Sequence, residues 1–328
     1  MKKNHFFKSA IFCFALVSFT LTSCIDEVEE PKVDHFKVMT DYMKANSMDL
    51  NNMTSDWVID APTMNTTGTA NLHIIDLRSA ADFSTKGHIA GAINSTLANV
   101  LTAAQGATKP IVVTCYTGQN AAVAVTALRL SGFKTAKIMK WGMSSWNAVF
   151  DSWTANIANI GKGHANWSTT NTTKTPVLFS LPAFDATGFT AADTTGAAIL
   201  AKRVTYMLSQ GFRGINASDV LTTPANYFIV NYWTEADVTT YGHIKEAYRL
   251  NETLKLAGDG IKNLDPAATN VIYCWTGQTS ALVSSYLTVL GYDAKGIKFG
   301  TNAMINADLL KNKFSASQIG NYTYVTGN

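Results

Sequence analysis

The sequence predicts an α/β protein with two domains, each a mainly parallel sheet flanked by helices on both faces. Two short segments, Cys-Tyr-Thr-Gly-Gln-Asn at 115–120 and Cys-Trp-Thr-Gly-Gln-Thr at 274–279, are near copies of each other. Each follows a β-branched apolar run, at 111–114 in the first half and at 271–273 in the second. Apolar strands without polar alternation, separated by helical stretches, are typical of parallel sheets that are covered on both faces.

The same elements recur in the same order in both halves. The first half predicts strands at 72–76 and 111–114, then the Cys115 turn, a helix that ends at Gly132, and a strand at 137–139. The second half repeats the order with strands at 227–231 and 271–273, then the Cys274 turn and a helix that ends at Gly291. A strand, a turn and a helix in succession form the basic unit of a parallel sheet.

Shared landmarks indicate an internal duplication. His88, Cys115 and Gly142 of the first half have counterparts 155 to 159 residues later, in the same order. The stretch between the halves begins with a segment rich in Asn, Thr, Gly and Ser, which is typical of a linker. We therefore predict domains at 34–155 and 191–328, joined by a linker at 156–190.

The N-terminus has the pattern of a targeting segment. Lysines at positions 2, 3 and 8 precede an apolar run that is shorter than the ~20 residues of a bilayer-spanning helix. The sequence Leu-Thr-Ser-Cys at 21–24 resembles a bacterial lipobox, which implies cleavage before Cys24 and acylation of its thiol. We expect a signal peptide at 1–23, and a lipidated Cys24 with a tether at 24–33. The protein would then be an exported lipoprotein of the bacterial cell envelope, held on the periplasmic face or the cell surface by its acyl anchor.

The folded part of the chain is electrically neutral. The formal charge of +3 equals the contribution of the three lysines in the targeting segment. Proteins that bind nucleic acids usually present a basic face, so we expect no nucleic-acid partner. The oligomeric state has no signature in the sequence.

The two cysteine turns are the candidate site. In open parallel sheets, ligands bind beyond the carboxyl ends of the strands, which is where Cys115 and Cys274 stand. A glycine-containing turn before a helix points backbone N–H groups at one spot, and the helix N-terminus adds partial positive charge. Both effects favour the thiolate, the nucleophilic form of cysteine. We predict that Cys115 and Cys274 are nucleophiles. The predicted substrate-binding cradles are Tyr116, Thr117, Gly118, Gln119 and Asn120 in the first turn, and Trp275, Thr276, Gly277, Gln278 and Thr279 in the second.

The motifs of the first half resemble those of a rhodanese domain. They are the run Ile-Ile-Asp-Leu-Arg at 74–78, Asp-Phe at 82–83, the segment 87–94 that begins with Gly-His-Ile, and the Cys115 turn. The second half matches from about residue 197 onward, through Gly-His-Ile at 242–244 and the Cys274 turn. The whole chain is therefore similar to a tandem rhodanese-like sulfurtransferase with a lipoprotein anchor.

This resemblance implies sulfur-transfer chemistry. A turn cysteine takes sulfane sulfur from a small donor, holds it as a persulfide and passes it to a thiol-type acceptor, with no metal and no organic cofactor. The resemblance also implies that Arg78 helps to bind an anionic donor. The residue after the nucleophile is often Arg in the family, whereas it is Tyr116 or Trp275 here. Since these aromatic residues remove positive charge from the rim, we expect a persulfide or polysulfide donor rather than thiosulfate.

Other functions stay open on the sequence alone. A non-catalytic envelope module that binds a ligand or a partner would also fit the aromatic turns and the loss of the Asp-Leu-Arg signature at 231–233. A related phosphatase class needs an arginine six residues after its cysteine, where this chain has Ala121 and Ser280. Redox work on thiols would require Cys115 and Cys274 to meet across a shared cleft.

Some residues that could suggest chemistry have structural interpretations. His88 and His243 each stand in a Gly-His-Ile sequence, and we expect them to fix their loops by hydrogen bonds. No spacing among the histidines resembles a metal site. Since each cysteine is built into its own turn, we do not expect a disulfide between Cys115 and Cys274.

Overall fold

A computed structural model of the protein describes residues 33–170, 172–182, 184, 188–190 and 193–327. The segment Asp34–Asn328 forms one compact unit. The predicted signal peptide, Cys24 and the tether up to residue 32 lie outside the described residues. Within the described part of the chain, no helix combines the length and the apolar character needed to cross a membrane.

The first half contains a five-stranded sheet in which all neighbouring strands pair in parallel. Its strands are β1 (Val58–Ile59), β2 (His73–Asp76), β3 (Ile93–Asn94), β4 (Ile111–Thr114) and β5 (Lys137–Met139). Their order across the sheet is β1-β5-β4-β2-β3. All four residues of β4 are buried, as expected for an apolar strand in the middle of a covered parallel sheet.

Helices precede and connect these strands. They are α1 (His35–Ala45), α2 (Leu50–Met53), α3 (Ala61–Thr67), α4 (Ala80–Thr85), α5 (Val100–Ala103), α6 (Gln119–Leu130) and α7 (Met143–Trp146). The side chains of Asp34, Asp60 and Ser79 begin α1, α3 and α4, and each accepts a bond from the backbone N–H three residues later. Such caps satisfy N–H groups that have no partner within the helix.

The segment predicted as a linker packs on the second half of the chain. Its strand β6 (Trp167–Ser168) pairs antiparallel with a strand of the second half at His243–Ile244. The indole N–H of Trp167 donates to the Tyr241 carbonyl at 3.1 Å. The connection is therefore anchored by backbone and side-chain bonds.

The second half contains another five-stranded sheet whose neighbours all pair in parallel. The strands of this half are β7 (Gly214–Ile215), β8 (Phe228–Asn231), β9 (His243–Ile244), β10 (Tyr248–Arg249), β11 (Asn270–Tyr273) and β12 (Ala294–Ile297). The order β7-β12-β11-β8-β10 repeats that of the first sheet, while β9 pairs with β6. The helices are α8 (Gly196–Gln210), α9 (Ala217–Thr222), α10 (Glu235–Tyr241) and α11 (Gln278–Val289).

The main core lies between the two sheets, where α6 and α11 pack against each other. Both helices are buried along almost their whole length, which explains their lack of a polar face. The outer face of the first sheet packs against α3 and α7, and that of the second against α9. The predicted fold class is therefore confirmed: α/β, with mainly parallel sheets that carry helices on both faces.

Two terminal segments cross from one half to the other. Helix α1, at the start of the predicted first domain, packs on α8. At the other end of the chain, the Tyr322 N–H donates to the Trp146 carbonyl, and Val325 forms an antiparallel bridge with His88. The sequence contains no signal for these crossings, and the division at 34–155 and 191–328 stays a prediction.

Candidate active site

The first cysteine turn joins a buried strand to a buried helix. Strand β4 ends at Thr114, and α6 begins at Gln119 directly after Gly118, whose φ of 80° is left-handed. The Gly118 N–H donates to the sulfur of Cys115 at 3.1 Å. The turn therefore holds the sulfur with a backbone amide at the N-terminus of α6.

The second cysteine turn has the same construction. Strand β11 ends at Tyr273, and α11 begins at Gln278 after the left-handed Gly277. Here the Ser280 N–H, in the first turn of α11, donates to the sulfur of Cys274 at 3.3 Å. Both cysteines are free thiols, and both are buried.

Burial decides the ionisation of Cys115, which is only 5% exposed. Loss of water raises the pKa of its thiol above the ordinary value, because desolvation disfavours the charged form. Backbone N–H groups of Ala121, Thr117, Gly118 and Asn120 lower the pKa, but they do not compensate for burial. The amides of the turn therefore favour the thiolate, as expected from the sequence, while burial opposes them.

We expect Cys115 of the folded chain to be alkylated with a pH profile that is displaced to higher pH than that of the unfolded chain. The raised pKa keeps the thiol neutral while an exposed thiol is already ionising, and only the thiolate reacts. The rate of iodoacetamide labelling at Cys115, read from its peptide by mass spectrometry, measures the profile in buffer and in urea. A folded profile at equal or lower pH would contradict the expectation.

A glycine from the following strand-to-helix connection lies against the backbone of each cysteine turn. A Cβ added to Gly142 would lie 2.4 Å from the Cys115 carbonyl oxygen and 2.7 Å from the Thr117 nitrogen. A Cβ added to Gly300 would lie 2.4 Å from the Cys274 carbonyl oxygen. In the sequence these glycines served only as landmarks of the duplication. Their repeated Lys-aromatic-Gly context is the signal that could have identified them as parts of the site.

The two cysteine turns contact each other through a pair of buried glutamines. The side-chain amide of Gln278 donates to the Thr117 carbonyl at 3.0 Å. The side-chain oxygen of Gln119 accepts from the Phe299 N–H at 2.9 Å. The sequence assigned the backbone amides of both residues to the anion cradles and made no prediction for their side chains. Each side chain reaches across to the opposite half, because the turns face each other in the fold.

Arg78 belongs to an internal ion pair. Its side chain is fully buried, and it bonds both carboxylate oxygens of Asp76, whose side chain is also fully buried. It donates to the Gly87 carbonyl at 2.7 Å, while the rings of Tyr116 and Phe150 lie 5.2 and 4.8 Å from its Cζ. The motif therefore folds into an internal ion pair, and the role of Arg78 in binding an anionic donor stays a prediction.

The rim of the first turn is formed by the half-buried Tyr116 and the exposed Asn120. Lys86 donates to the Tyr116 hydroxyl at 3.2 Å and forms an ion pair with Asp82 at 2.7 Å. A cation thus lies at this rim, although the turn itself contains none. The sequence did not predict it, because Lys86 lies 30 residues before Tyr116.

The rim of the second turn opens into a cavity of about 450 Å³. Trp275, the residue after the cysteine, stacks on Trp233 with ring centroids 4.2 Å apart. These residues are among those that line the cavity, together with Thr279 of the turn, Tyr232 and Trp57. Trp57 belongs to the first half and Tyr232 follows β8, so sequence reasoning missed both. The predicted Thr276 is buried and accepts from the Gln278 N–H at 3.2 Å, which supports the turn from within.

The histidines of the Gly-His-Ile segments face backbone carbonyls. The His88 Nδ1 lies 3.0 Å from the Phe83 carbonyl oxygen, and its ring stacks on that of Phe83. The His243 Nδ1 lies 2.8 Å from the Ile244 carbonyl oxygen. These contacts agree with a structural role. Among the described residues, no group of three or more His, Cys, Asp or Glu side chains is placed to hold a metal ion.

Comparison with solved structures gives distant likenesses. The chain is similar to the reduced CoADR-RHD protein of Bacillus anthracis, at 20% identity and a TM-score of 0.26, over 33% of this chain and 18% of that one. It is similar to a protein of unknown function, possible tyrosine phosphatase, from Rhodopseudomonas palustris, at 20% identity and a TM-score of 0.26, over 34% and 87% of the two chains. It is also similar to a thiosulfate sulfurtransferase from Pseudomonas aeruginosa, at 14% identity and a TM-score of 0.28, over 90% and 49%.

A comparison with family models locates a domain in the first half. No curated protein matches the chain. The model of the rhodanese-like domain matches residues 63–149, a segment that holds the Cys115 turn, the Asp76–Arg78 ion pair and Gly142. Residues 63–149 of this chain are therefore a rhodanese-like domain.

Proposed function

We propose that the protein is a sulfurtransferase that carries sulfane sulfur as a cysteine persulfide on Cys115 and Cys274. The observation that carries this proposal is the cysteine at the carboxyl end of a central parallel strand, whose sulfur accepts a backbone N–H at the N-terminus of the next helix. Such amides stabilise negative charge on the thiolate, on the persulfide and in the transition state between them. No side-chain cation is needed for this stabilisation.

The transfer proceeds in two balanced displacements. The cysteine thiolate attacks the outer sulfur of a donor R–S–SH, the donor's S–S bond breaks, and the thiolate RS⁻ leaves, which gives Cys–S–SH. An acceptor thiolate then attacks the outer sulfur of this persulfide and leaves as R′–S–SH, which restores the cysteine thiolate. Each step exchanges one S–S bond for another, so neither oxidant nor metal takes part.

We also propose that the second half is a second rhodanese-like domain. Its sheet repeats the strand order of the first, and its cysteine turn stands at the matching end of the matching strand. Gly300 lies against this turn as Gly142 lies against the first. The Asp-Arg pair of the first half is replaced here by Asn231 and Trp233, which lie outside the turn and leave its amides in place.

A mass measurement tests the proposed chemistry. We expect the chain to gain one sulfur, about 32 Da, after treatment with glutathione persulfide, because the thiolate displaces glutathione from the outer sulfur. The variants Cys115→Ser and Cys274→Ser identify the loaded residue, and thiosulfate serves as an anionic donor for comparison. If no donor gives an adduct while both thiols are alkylated after unfolding in urea, sulfur transfer is ruled out.

The second candidate function is a non-catalytic module that binds a ligand or a partner. The burial of both thiols favours it, since Cys115 is 5% and Cys274 is 1% exposed, and a buried sulfur meets donors only when the rim opens. The absence of any adduct in the preceding experiment is the result that this function predicts.

A further inference from the structure

The cavity beside the second cysteine turn is walled by residues of both halves. Trp57 comes from the segment between α2 and β1, whereas Tyr232, Trp233 and Trp275 come from the second half. Its volume of about 450 Å³ is that of a site for a small organic molecule. Three indoles and a phenol at such a site provide aromatic faces for an apolar or aromatic body.

This cavity lies beside the turn that holds Cys274, and Cys274 itself is buried behind the lining residues. Trp275 directly follows the cysteine, and Thr279 directly precedes Ser280, whose N–H donates to the sulfur. Tyr232 lies on the same side: burial raises the pKa of its phenol, and the charge of an ionised Cys274 raises it further. A ligand between these residues would therefore lie beside the turn of Cys274 and would meet its buried sulfur when the rim opens.

The charges around the cavity disfavour a small anion. Asp237 and Glu252 are lining residues, while none of the residues that line the cavity is a lysine or an arginine. Two cations beside the cavity are paired: Lys311, whose Nζ lies 5.0 Å from the Trp275 ring centroid, bonds Asp237, and Arg249 bonds Glu252. A dianion such as thiosulfate would lose part of its hydration there and would gain no unpaired cation, which disfavours its binding.

An unpartnered donor lies in the wall. The indole N–H of Trp233 is buried and has no hydrogen-bond partner, although Trp233 is a lining residue. A buried donor without a partner costs free energy, and a ligand acceptor would recover that cost where a shift of the wall brings it to the indole N–H. An uncharged oxygen of an organic ligand would satisfy this indole N–H. A ligand sulfur would do so less fully, because sulfur is a weak acceptor.

We propose that this cavity binds an uncharged organic thiol or persulfide with an apolar or aromatic body, and that it places the ligand's sulfur at Cys274. The proposal rests on the proposed sulfur transfer and names the substrate class of its second turn. The donor and the acceptor share this chemistry: one is R–S–SH and the other is R′–SH. The first turn has a different rim, in which Lys86 is bound to the Tyr116 hydroxyl, and it has no part in this preference.

Binding is measured on the full chain carrying Cys274→Ser, in which no sulfur can be transferred at the second turn. The probes are benzyl mercaptan and its carboxylate analogue, 4-(mercaptomethyl)benzoate, which share one aromatic body. We expect calorimetry to give an affinity for benzyl mercaptan about tenfold or more above that for the carboxylate. Equal affinities, or tighter binding of the carboxylate, would overturn the proposal.

Two variants locate the bound probe. Trp57→Leu removes one aromatic wall, and Asn51→Trp fills the cavity from an exposed lining position. Each variant is expected to lower the affinity for benzyl mercaptan about tenfold. Asn65→Trp, at an exposed position of α3, is the matched control and should leave the affinity unchanged. Undiminished binding by Asn51→Trp would place the ligand elsewhere and overturn the proposal.

The outcomes for this proposal and for the general function are separable. If the chain binds benzyl mercaptan in the cavity but never forms a persulfide, the proposed binding site stands and the proposed sulfurtransferase activity is wrong. If the chain forms a persulfide on Cys274 but does not bind benzyl mercaptan, the proposed activity stands and the proposed substrate class is wrong.

Discussion

Replacing Gly300 with alanine is expected to slow persulfide formation on Cys274 by about 100-fold, since a displacement of ~1 Å at reacting groups has an effect of this size. The φ of Gly300 is +54°, and its added Cβ would lie 2.4 Å from the Cys274 carbonyl oxygen and 2.6 Å from the Gly277 nitrogen. Both neighbours are backbone atoms of the turn, so the turn itself must move. The backbone N–H that donates to the sulfur of Cys274 would then no longer point at it.

The matched variant Gly142→Ala should have the same effect on Cys115 and leave Cys274 loaded. Its Cβ meets the Cys115 carbonyl oxygen at 2.4 Å, in the same geometry. The pair therefore reports which turn works, without removing either thiol. A peptide-level mass measurement of persulfide on each cysteine over time gives both rates in one sample.

Gly132→Ala is the control for backbone strain. Its φ of +100° is also left-handed, but an added Cβ meets no atom within 4 Å. This variant carries the cost of an unfavourable φ, about 1–3 kcal/mol, without touching a cysteine turn. If Gly132→Ala slows loading as much as Gly300→Ala does, the loss reflects general destabilisation, and the role assigned to the turn contact is wrong.

The parts of the fold that the sequence predicted are those decided by short-range physics. A short β-branched run such as 111–114 favours a buried strand, and a left-handed glycine before an apolar helix fixes the turn at Cys115. The position of both cysteine turns, at the carboxyl ends of central strands, was predicted from the same local pattern. These features depend on neighbours in the chain, which the sequence shows directly.

The parts that were missed depend on distant segments. The amides around Cys115 lower the pKa of its thiol, as the sequence predicted. The net shift is upward because of burial, which is set by the packing of both halves. The cavity at Cys274 needs Trp57, more than two hundred residues away in the chain. The side-chain bonds of Gln119 and Gln278 were not predicted, because their partners lie in the opposite half.

The altered signature of the second half has a local explanation in the paired strands. Where the first sheet pairs Asp76 with Thr114, the second pairs Asn231 with Tyr273. The amide of Asn231 bonds the Tyr273 hydroxyl at 2.6 Å, and that hydroxyl also accepts the Ile244 N–H at 3.2 Å. A neutral pair therefore replaces the ion pair, and the change on β8 is matched by a change on β11.

Replacing Asp76 with alanine is expected to lower the free energy of unfolding by about 3–5 kcal/mol, because it leaves a buried guanidinium without its counter-charge. The side chains of Asp76 and Arg78 are both fully buried, and Arg78 keeps only the Gly87 carbonyl as an acceptor. Urea unfolding monitored by tryptophan fluorescence measures the change, with the slope checked for a single transition.

Two further variants separate the buried charge from the loss of a carboxylate as such. Asp308→Ala removes one partner of an ion pair with Lys162 whose side chains are 43% and 62% exposed, and it should cost less than about 1 kcal/mol. The double variant Asp76→Ala/Arg78→Met removes both buried charges, so it should be more stable than Asp76→Ala alone. If the double variant is no more stable, the cost of Asp76→Ala comes from lost packing at the end of β2. In that case the pair of Asn231 and Tyr273 in the second half would be stable because the tyrosine side chain packs well, and not because the pair carries no charge.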